Sequence, residues 1–389
     1  MKRNARVAAA AVVLSALGLV LWRSKSAAPT VIPTDFGGKT TLQDNGANGS
    51  KPRVDIVFAL DTTGSMGGLI AGAKTKIWEI ARRAQQGKPA PELRVGLVGY
   101  RDVGDSYVTK TIDLTSDLDE VYAKLSEFQA GGGGDGPEHV LKGLHDAIDG
   151  SSWSKDSNAV KLVYLVGDAP PHLDYQDGLT MDGVLSEARQ KGVHISAIRC
   201  GQDNDTLRTW SLIAQRTDGE VSTIEQSGGV VAVTTPFDDD LARLNAKLAG
   251  TEIHWGSEGE RKEAQKALAT NMAAPSAAQA ERAGFYAANA AAGGPATKKD
   301  LVAAKPSDVA AVPTAALPEP LQAMSTEERT RFVEEKRKER DGVLKEIREA
   351  SDKREAFLKT AAPKPAATSF DAKVYDSLRK AGAKSGIAY

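Results

Sequence analysis

Hydrophobic and polar positions follow two alternating patterns between residues 54 and 248. Short apolar runs, often β-branched, are typical of buried parallel strands, whereas apolar residues recurring every three or four positions are typical of helices. The pattern predicts strands at 54–60, 92–100, 108–114, 161–166, 193–199 and 221–224, and helices at 66–86, 118–128, 140–148, 181–190, 205–216 and 238–248. Because strand and helix alternate, we expect an α/β fold with a doubly wound, mainly parallel sheet that is covered on both faces.

The first predicted strand ends in a polar segment with three oxygen-bearing side chains. Asp61, Thr63 and Ser65 fall at alternate positions directly after Leu60, and Gly64 permits a tight turn. Hard oxygen donors of this kind suit Mg²⁺, Mn²⁺ or Ca²⁺ better than zinc or copper. Since open α/β sheets usually bind ligands at the carboxyl ends of their strands, this segment is a candidate metal site. Taken alone, these residues are equally compatible with a helix cap.

Two later loops also place carboxylates beside predicted strands or helices. Residues 131–138 read Gly-Gly-Gly-Gly-Asp-Gly-Pro-Glu and lead into a helix, and Asp168 follows the strand at 161–166. A glycine run before a helix can hold a phosphate, but no Gly-Lys-Ser or Gly-Lys-Thr follows, so nucleotide binding is not expected. In an open sheet, the three loops would lie at the same edge, where their oxygen ligands could meet.

The three segments resemble the motifs of the von Willebrand factor A domain. Asp61-x-Thr63-x-Ser65 is similar to the Asp-x-Ser-x-Ser motif of that family's metal-ion-dependent adhesion site, and the tripeptide at 100–102 resembles bacterial members. Asp135 stands where the family usually has a threonine, and Asp168 matches the third motif. The resemblance implies a Rossmann-like A domain over residues 53–250. It also implies a set of metal ligands, namely Asp61, Thr63, Ser65, Asp135 and Asp168.

The same resemblance implies a protein-binding function that depends on a divalent ion. In the family, hydroxyls and aspartates hold the ion, and an acidic residue of the partner protein completes its coordination. We expect Mg²⁺ here, with Ca²⁺ or Mn²⁺ as alternatives, and another protein as the partner. Because Asp135 would make the occupied site negative, we hypothesise that the ion is held tightly and depends less on a partner's carboxylate. Asp102 and Glu138 at nearby loop ends are either supporting residues or turn caps.

An enzymatic alternative starts from the same residues. Residues 61–65 also resemble the Asp-Lys-Thr-Gly-Thr motif of haloacid-dehalogenase-type phosphotransferases, in which the aspartate is a nucleophile and Mg²⁺ lies at the same sheet edge. Asp168 and Asp174 could supply the second acidic motif, but their spacing differs and no lysine motif precedes them. Residues 131–138 would also have no role. We therefore expect a non-enzymatic module and keep a phosphotransferase with Asp61 as nucleophile as the alternative.

Histidines, the cysteine and the net charge exclude several other classes of protein. His139 and His145 are six positions apart, the other three histidines are scattered, and no His-Glu-x-x-His is present, so zinc is not expected. The single cysteine, Cys200, excludes an internal disulfide and a thiolate metal cluster. A net charge of -1 does not suggest nucleic-acid binding.

The amino-terminal segment has the pattern of an export signal. Three basic residues within the first six positions precede an uncharged run over residues 7–22. Basic residues follow this run and no clean Ala-x-Ala site is present, so residues 1–25 are predicted to be either a signal peptide or an amino-terminal anchor. Residues 26–52 would be a flexible linker. We expect an exported bacterial protein of the periplasm or cell envelope, secreted or anchored in the inner membrane through residues 7–22.

The composition changes after residue 250. Residues 251–324 are rich in alanine and proline, and we expect a loosely packed, low-complexity region with short helices near 261–268 and 277–291. Residues 325–389 begin with a capping box and continue as a highly charged helix to about residue 358. A long solvated helix is expected there, with coiled-coil pairing as the alternative, followed by a small docking tail over 370–389.

Overall fold

The computed structural model describes residues 51–230, 233–294, 299–361 and 368–389. The predicted signal or anchor at 1–25 and nearly all of the predicted linker lie outside these ranges, so export and membrane anchoring stay predictions. Within the described ranges, no helix is both long enough and apolar enough to cross a membrane.

In the described part of the chain, six strands form one sheet, namely β1 (Arg53–Asp61), β2 (Glu92–Tyr100), β3 (Thr109–Thr115), β4 (Val160–Gly167), β5 (His194–Cys200) and β6 (Val221–Ile224). Their order in the sheet is β3-β2-β1-β4-β5-β6. Neighbouring strands run parallel, except that β3 at the edge pairs antiparallel with β2. Strands β2 and β3 lie on one side of β1, and β4, β5 and β6 lie on the other. The direction of the strand order therefore reverses between β1 and β4.

Helices cover both faces of the sheet, which confirms the expected fold class. Alternate residues of β1 point to opposite faces, and both sets are buried because each face carries helices. One face packs against α3 (Val140–Asp149), α4 (Met181–Lys191) and α5 (Asn204–Arg216), and the other packs against helices that include α1 (Gly67–Gln85), α2 (Leu118–Glu127) and α8 (Ser276–Ala291). The helices of the domain are α1 (Gly67–Gln85), α2 (Leu118–Glu127), α3 (Val140–Asp149), α4 (Met181–Lys191), α5 (Asn204–Arg216) and α6 (Asp238–Ala249).

Six more α-helices follow in the described part of the chain, and α8 (Ser276–Ala291) among them packs much more tightly than the sequence suggested. Helix α8 is buried along most of its length, and its alanines let it approach α1 and α6 closely. The expectation of a loosely packed region was therefore wrong for α8, while the predicted domain boundaries stay predictions. The helices are α7 (Glu258–Met272), α8 (Ser276–Ala291), α9 (Pro306–Ala311), α10 (Glu319–Gln322), α11 (Thr326–Ala361) and α12 (Phe370–Lys384).

The long helix α11 is not exposed to solvent on all sides. Val343, Leu344 and Ile347 are buried in the same core as β1 and α1, and the helix packs against α6 and α8. The expectation of a solvated helix was thus wrong, because a thin apolar stripe is enough to bury one side of α11. Val333, nearer the start of α11, belongs to a smaller separate core with residues 301–321.

Three buried arginines stabilise this helical region, and two of them, Arg282 and Arg354, also join it to α2 or α6. Arg282 on α8 donates to both carboxylate oxygens of Asp119 on α2 over 2.6 Å, and further to Asn245 and Glu252. Two arginines of α11 also pair with buried carboxylates. Arg354 binds Asp238 and Glu281, and Arg340 binds Asp300 and Thr251. Because each guanidinium is paired, these charges are buried without being isolated.

The last helix, α12, completes one face of the sheet. The ring of Phe370 lies 6.1 Å from that of Phe58 on β1, and the hydroxyl of Tyr164 on β4 donates to the carbonyl of Val374 over 2.9 Å. The final residue, Tyr389, donates to the carbonyl of Ala84 on α1 over 3.0 Å. The end of the chain therefore covers sheet residues that would otherwise face solvent.

Replacing Arg282 should show how strongly the helical region depends on its buried ion pairs. Arg282→Ala leaves the buried carboxylates of Asp119 and Glu252 without their guanidinium partner, so we expect a loss of about 3–5 kcal/mol in the free energy of unfolding. Arg208, which forms an exposed ion pair with Asp205, is the matched control, and Arg208→Ala should cost less than about 1 kcal/mol. Urea unfolding at pH 7 measures both. Equal losses would contradict the structural role of Arg282.

Candidate functional site

Asp61 ends β1 as a fully buried carboxylate. Its side chain is 0% exposed, and its Oδ1 accepts hydrogen bonds from the backbone N–H and the hydroxyl of Thr63 over 2.8 and 2.6 Å. Its Oδ2 is also buried and has no hydrogen-bond partner among the described residues. A buried carboxylate oxygen normally has a partner, because an uncompensated charge in the interior is costly. This oxygen is therefore the feature of the site that most needs a ligand.

Two glycines allow the strands and loops to close around Asp61. A Cβ atom on Gly167, the last residue of β4, would lie 2.8 Å from the Cβ of Asp61 and 2.6 Å from the hydroxyl oxygen of Tyr100. No larger residue fits there without displacing β1 or β2. Gly64 donates its N–H to the carbonyl of Gly132 over 3.2 Å, which joins the loop after β1 to the glycine-rich loop.

Asp168 lies on the other side of the point where the strand order reverses. It directly follows β4, its Oδ2 accepts from Gln226 over 2.5 Å, and its carbonyl accepts from the hydroxyl of Thr206. Burial raises the pKa of Asp61 to about 7 despite the hydrogen bonds from Thr63, and the charge of Asp168 adds to the rise. Ser65 lies exposed in a single 3₁₀ turn at 64–66.

Glu138 is the second buried carboxylate of this site. It is 4% exposed, and its Oε2 has no hydrogen-bond partner among the described residues. Burial and then the charge of Asp61 are the largest causes that raise the pKa of Glu138 to about 8, against a hydrogen bond from Thr63. The sequence suggested only a supporting or capping role for Glu138. The structure instead places its carboxylate beside Thr63.

Asp135, in contrast, faces a histidine. Its side chain is 61% exposed, and its Oδ2 lies 3.4 Å from Nε2 of His172, which is itself 3.7 Å from Oδ2 of Asp102. Within the described ranges, Asp102, Asp135 and His172 are the group of potential ligands whose atoms all lie within 4.8 Å of one another. Asp61, Asp135 and Asp168 form no such group in the described part of the chain. The five-residue ligand set stays a prediction.

His172 was not expected at the site, because its sequence spacing matches no metal motif. Its position follows from a short parallel bridge between Glu138 and Pro171. Glu138 donates its N–H to the carbonyl of Pro170 over 3.0 Å, and His172 donates its N–H to the carbonyl of Glu138 over 2.9 Å. The closeness of His172 to Asp168 in the chain was the only available signal in the sequence.

These features define an open α/β domain with an acidic, oxygen-rich site at the switch point of its sheet, which is where such sheets bind ligands. The family model of the von Willebrand factor A domain matches residues 55–235. The chain therefore contains a von Willebrand factor A domain, which confirms that part of the resemblance.

Two curated relatives match the chain in part. Mouse von Willebrand factor A domain-containing protein 7 is 33% identical over 51% of this chain and 21% of its own length. Alpha-protein kinase vwkA of Dictyostelium discoideum is 32% identical over 31% of this chain and 19% of its own length. The chain thus spans about a fifth of the length of these relatives.

Two solved structures also match. The pilus adhesin SpaC from Lactobacillus rhamnosus GG, in its open conformation, is 16% identical, covers 45% of this chain and 28% of its own, and has a TM-score of 0.33. Proximal thread matrix protein 1 from the mussel byssus is 17% identical, covers 45% of this chain and 42% of its own, and has a TM-score of 0.35.

The raised pKa of Asp61 should make the metal-free protein lose stability as the pH rises. The folded state keeps a proton on Asp61 up to about pH 7, whereas the unfolded chain releases it near 3.8. Between pH 5 and 7 this group alone lowers the free energy of unfolding by at most about 1.4 kcal/mol per pH unit. Urea unfolding in EDTA across this range should show a shallower decline for Asp61→Asn.

Asp205→Asn is the matched control for this measurement, because Asp205 is an exposed aspartate paired with Arg208. Its pH dependence should equal that of the wild type. An Asp61→Asn profile as steep as the wild-type profile would show that Asp61 does not hold a proton in the folded state.

Proposed function

We propose that this chain is a divalent-metal-dependent protein-binding module, with its ion beside Asp61. The observation that carries the proposal is the buried Oδ2 of Asp61, which has no hydrogen-bond partner among the described residues. A divalent cation would compensate this charge, because the two hydrogen bonds from Thr63 reach only the other oxygen, Oδ1. The neighbouring oxygens of Thr63 and Asp168 are ligands of the hard type that Mg²⁺ prefers.

The proposed ligands come from three loops at one edge of the sheet. Asp61, Thr63 and Ser65 belong to the loop after β1, and Asp168 belongs to the loop after β4. The resemblance assigns the remaining contribution to Asp135, but Glu138 is the carboxylate of that loop that is buried beside Thr63. We therefore give Glu138 this role. Mg²⁺ is the expected ion, and Ca²⁺ or Mn²⁺ would fit the same oxygen donors.

Exposed apolar side chains at the rim support a protein as the partner. Val103 is 56% exposed and Leu173 is 67% exposed, and they follow Asp102 and His172 in the chain. Their two loops touch, because Tyr175 donates its hydroxyl to Asp102 over 2.7 Å. Large apolar side chains exposed beside a ligand site are typical of protein contacts. Location in the cell envelope is part of this proposal and is supported by the export-like pattern of the first 25 residues.

Calorimetric titration of the full chain with Mg²⁺, Ca²⁺ and Mn²⁺ tests the metal site. We expect saturable binding that is tighter at pH 8 than at pH 6, because the ion must displace the protons held by Asp61 and Glu138. Asp61→Asn and Glu138→Gln should each weaken binding at least tenfold. The control Asp205→Asn should leave it nearly unchanged.

Two results would contradict the metal proposal. One is the absence of binding by a folded wild-type chain, and the other is binding that Asp61→Asn leaves intact. Metal-dependent hydrolysis of p-nitrophenyl phosphate that is lost in Asp61→Asn would favour the phosphotransferase alternative instead.

The rim residues test the protein-binding half of the proposal. Val103→Ser with Leu173→Ser should leave Mg²⁺ affinity unchanged and remove the proteins that the wild type retains from an envelope extract with Mg²⁺ but not with EDTA. Leu212→Ser, at an exposed leucine on α5, is the matched control. Retention that survives the double substitution, or that does not need Mg²⁺, would contradict a partner bound at this edge.

A further inference from the structure

We propose that Asp102, Asp135 and His172 form a second metal site, which binds a transition-metal ion of the Zn²⁺ type. This site is distinct from the oxygen site at Asp61. A histidine nitrogen with two carboxylates suits Zn²⁺ and similar ions, whereas Mg²⁺ and Ca²⁺ prefer oxygen alone. The proposal does not rest on the function given above, because none of these residues is a ligand in that function.

The distances from His172 to the two carboxylates are close to those around a small ion. Nε2 of His172 lies 3.4 Å from Oδ2 of Asp135 and 3.7 Å from Oδ2 of Asp102. Two ligands of a tetrahedral ion with bonds of about 2.0–2.2 Å lie roughly 3.3–3.6 Å apart. All three ligand atoms lie within 4.8 Å of one another. The exposed side chain of Asp135 can move to shorten the carboxylate–carboxylate distance.

His172 is held as metal-binding histidines usually are. Its Nδ1 lies 2.9 Å from Oδ1 of Asp174, so the proton of a neutral ring is favoured on Nδ1 and the lone pair on Nε2. Nε2 itself is buried and has no hydrogen-bond partner among the described residues. The ring stacks on Tyr175 with centroids 4.5 Å apart, which fixes its plane. In the neutral ring the lone pair of Nε2 is thus free, and this nitrogen lies within 3.7 Å of two carboxylate oxygens.

Asp102 is fixed in a similar way, and the three ligands come from different loops. The hydroxyl of Tyr175 lies 2.7 and 2.8 Å from the two carboxylate oxygens of Asp102. Asp102 follows β2, Asp135 precedes α3, and His172 follows β4. An ion here would join the loops that carry the exposed rim residues Val103 and Leu173. Three protein ligands would also leave a fourth position open for water or a partner's side chain.

Cobalt absorption tests this site directly. The full chain, freed of metal with EDTA and kept in excess Mg²⁺, is titrated with Co²⁺, which gives visible bands that strengthen in four-coordinate sites. We expect one equivalent to bind and one equivalent of Zn²⁺ to displace it. His172→Gln should abolish the bands, and Asp174→Asn should weaken binding about tenfold or more.

Two control variants separate this site from the oxygen site and from other histidines. Asp61→Asn should leave the cobalt spectrum unchanged, while His172→Gln should leave Mg²⁺ binding unchanged. His145→Gln alters a histidine on α3 that faces Glu187 and should have no effect on either metal. Far-UV circular dichroism and urea unfolding confirm that each variant is folded.

Three outcomes would overturn the proposal. The first is a folded wild-type chain without cobalt bands at stoichiometric Co²⁺, which would leave His172 as an ion-paired imidazolium. The second is a spectrum that persists in His172→Gln, and the third is a spectrum that disappears in Asp61→Asn. X-ray absorption of the Zn²⁺ form should show one histidine ligand, and a shell of oxygen ligands alone would also contradict the site.

Discussion

The burial of the Asp61 carboxylate is the constraint around which the site is built. The central strand of the sheet ends in this charge, and Thr63 satisfies only one of its two oxygens. Gly167 has no Cβ because that space is already filled by Asp61 and Tyr100. Glu138 adds a second buried carboxylate, so the metal-free edge of the sheet concentrates negative charge. Such a site is disfavoured until protons or a cation compensate it.

Buried charges also lie where the carboxyl-terminal helices pack, but there each charge is compensated by an oppositely charged side chain of the same protein. Arg282, Arg340 and Arg354 each meet a buried carboxylate, so these ion pairs are complete in the folded chain. Buried acidic residues in this protein are therefore of two kinds, those paired with an arginine and those without a cation. Asp119, for example, has an arginine and serves the fold, whereas Asp61 has no cation and is available for a ligand.

Most of the sheet and its helices could be predicted, because strands buried on both faces give continuous apolar runs and the helices give a clear period. The packing of α8 and α11 could not, because alanine and charged residues resemble a solvated region until their partners are known. In the site, Asp61 and Asp168 could be predicted, because each lies at the end of a recognisable strand. The positions of Asp135 and His172 could not be predicted. The orientation of Asp135 toward His172 depends on a bridge between two loops, which sequence spacing does not encode.

The most direct test of the metal-binding site is a crystal structure of the chain grown with Mn²⁺, with anomalous diffraction used to locate the ion. We expect an anomalous peak in contact with Oδ2 of Asp61, with hydroxyl ligands from Thr63 or Ser65. A peak only at His172, or a protein donor or water hydrogen-bonded to that oxygen in saturating Mn²⁺, would contradict a metal site at the end of β1.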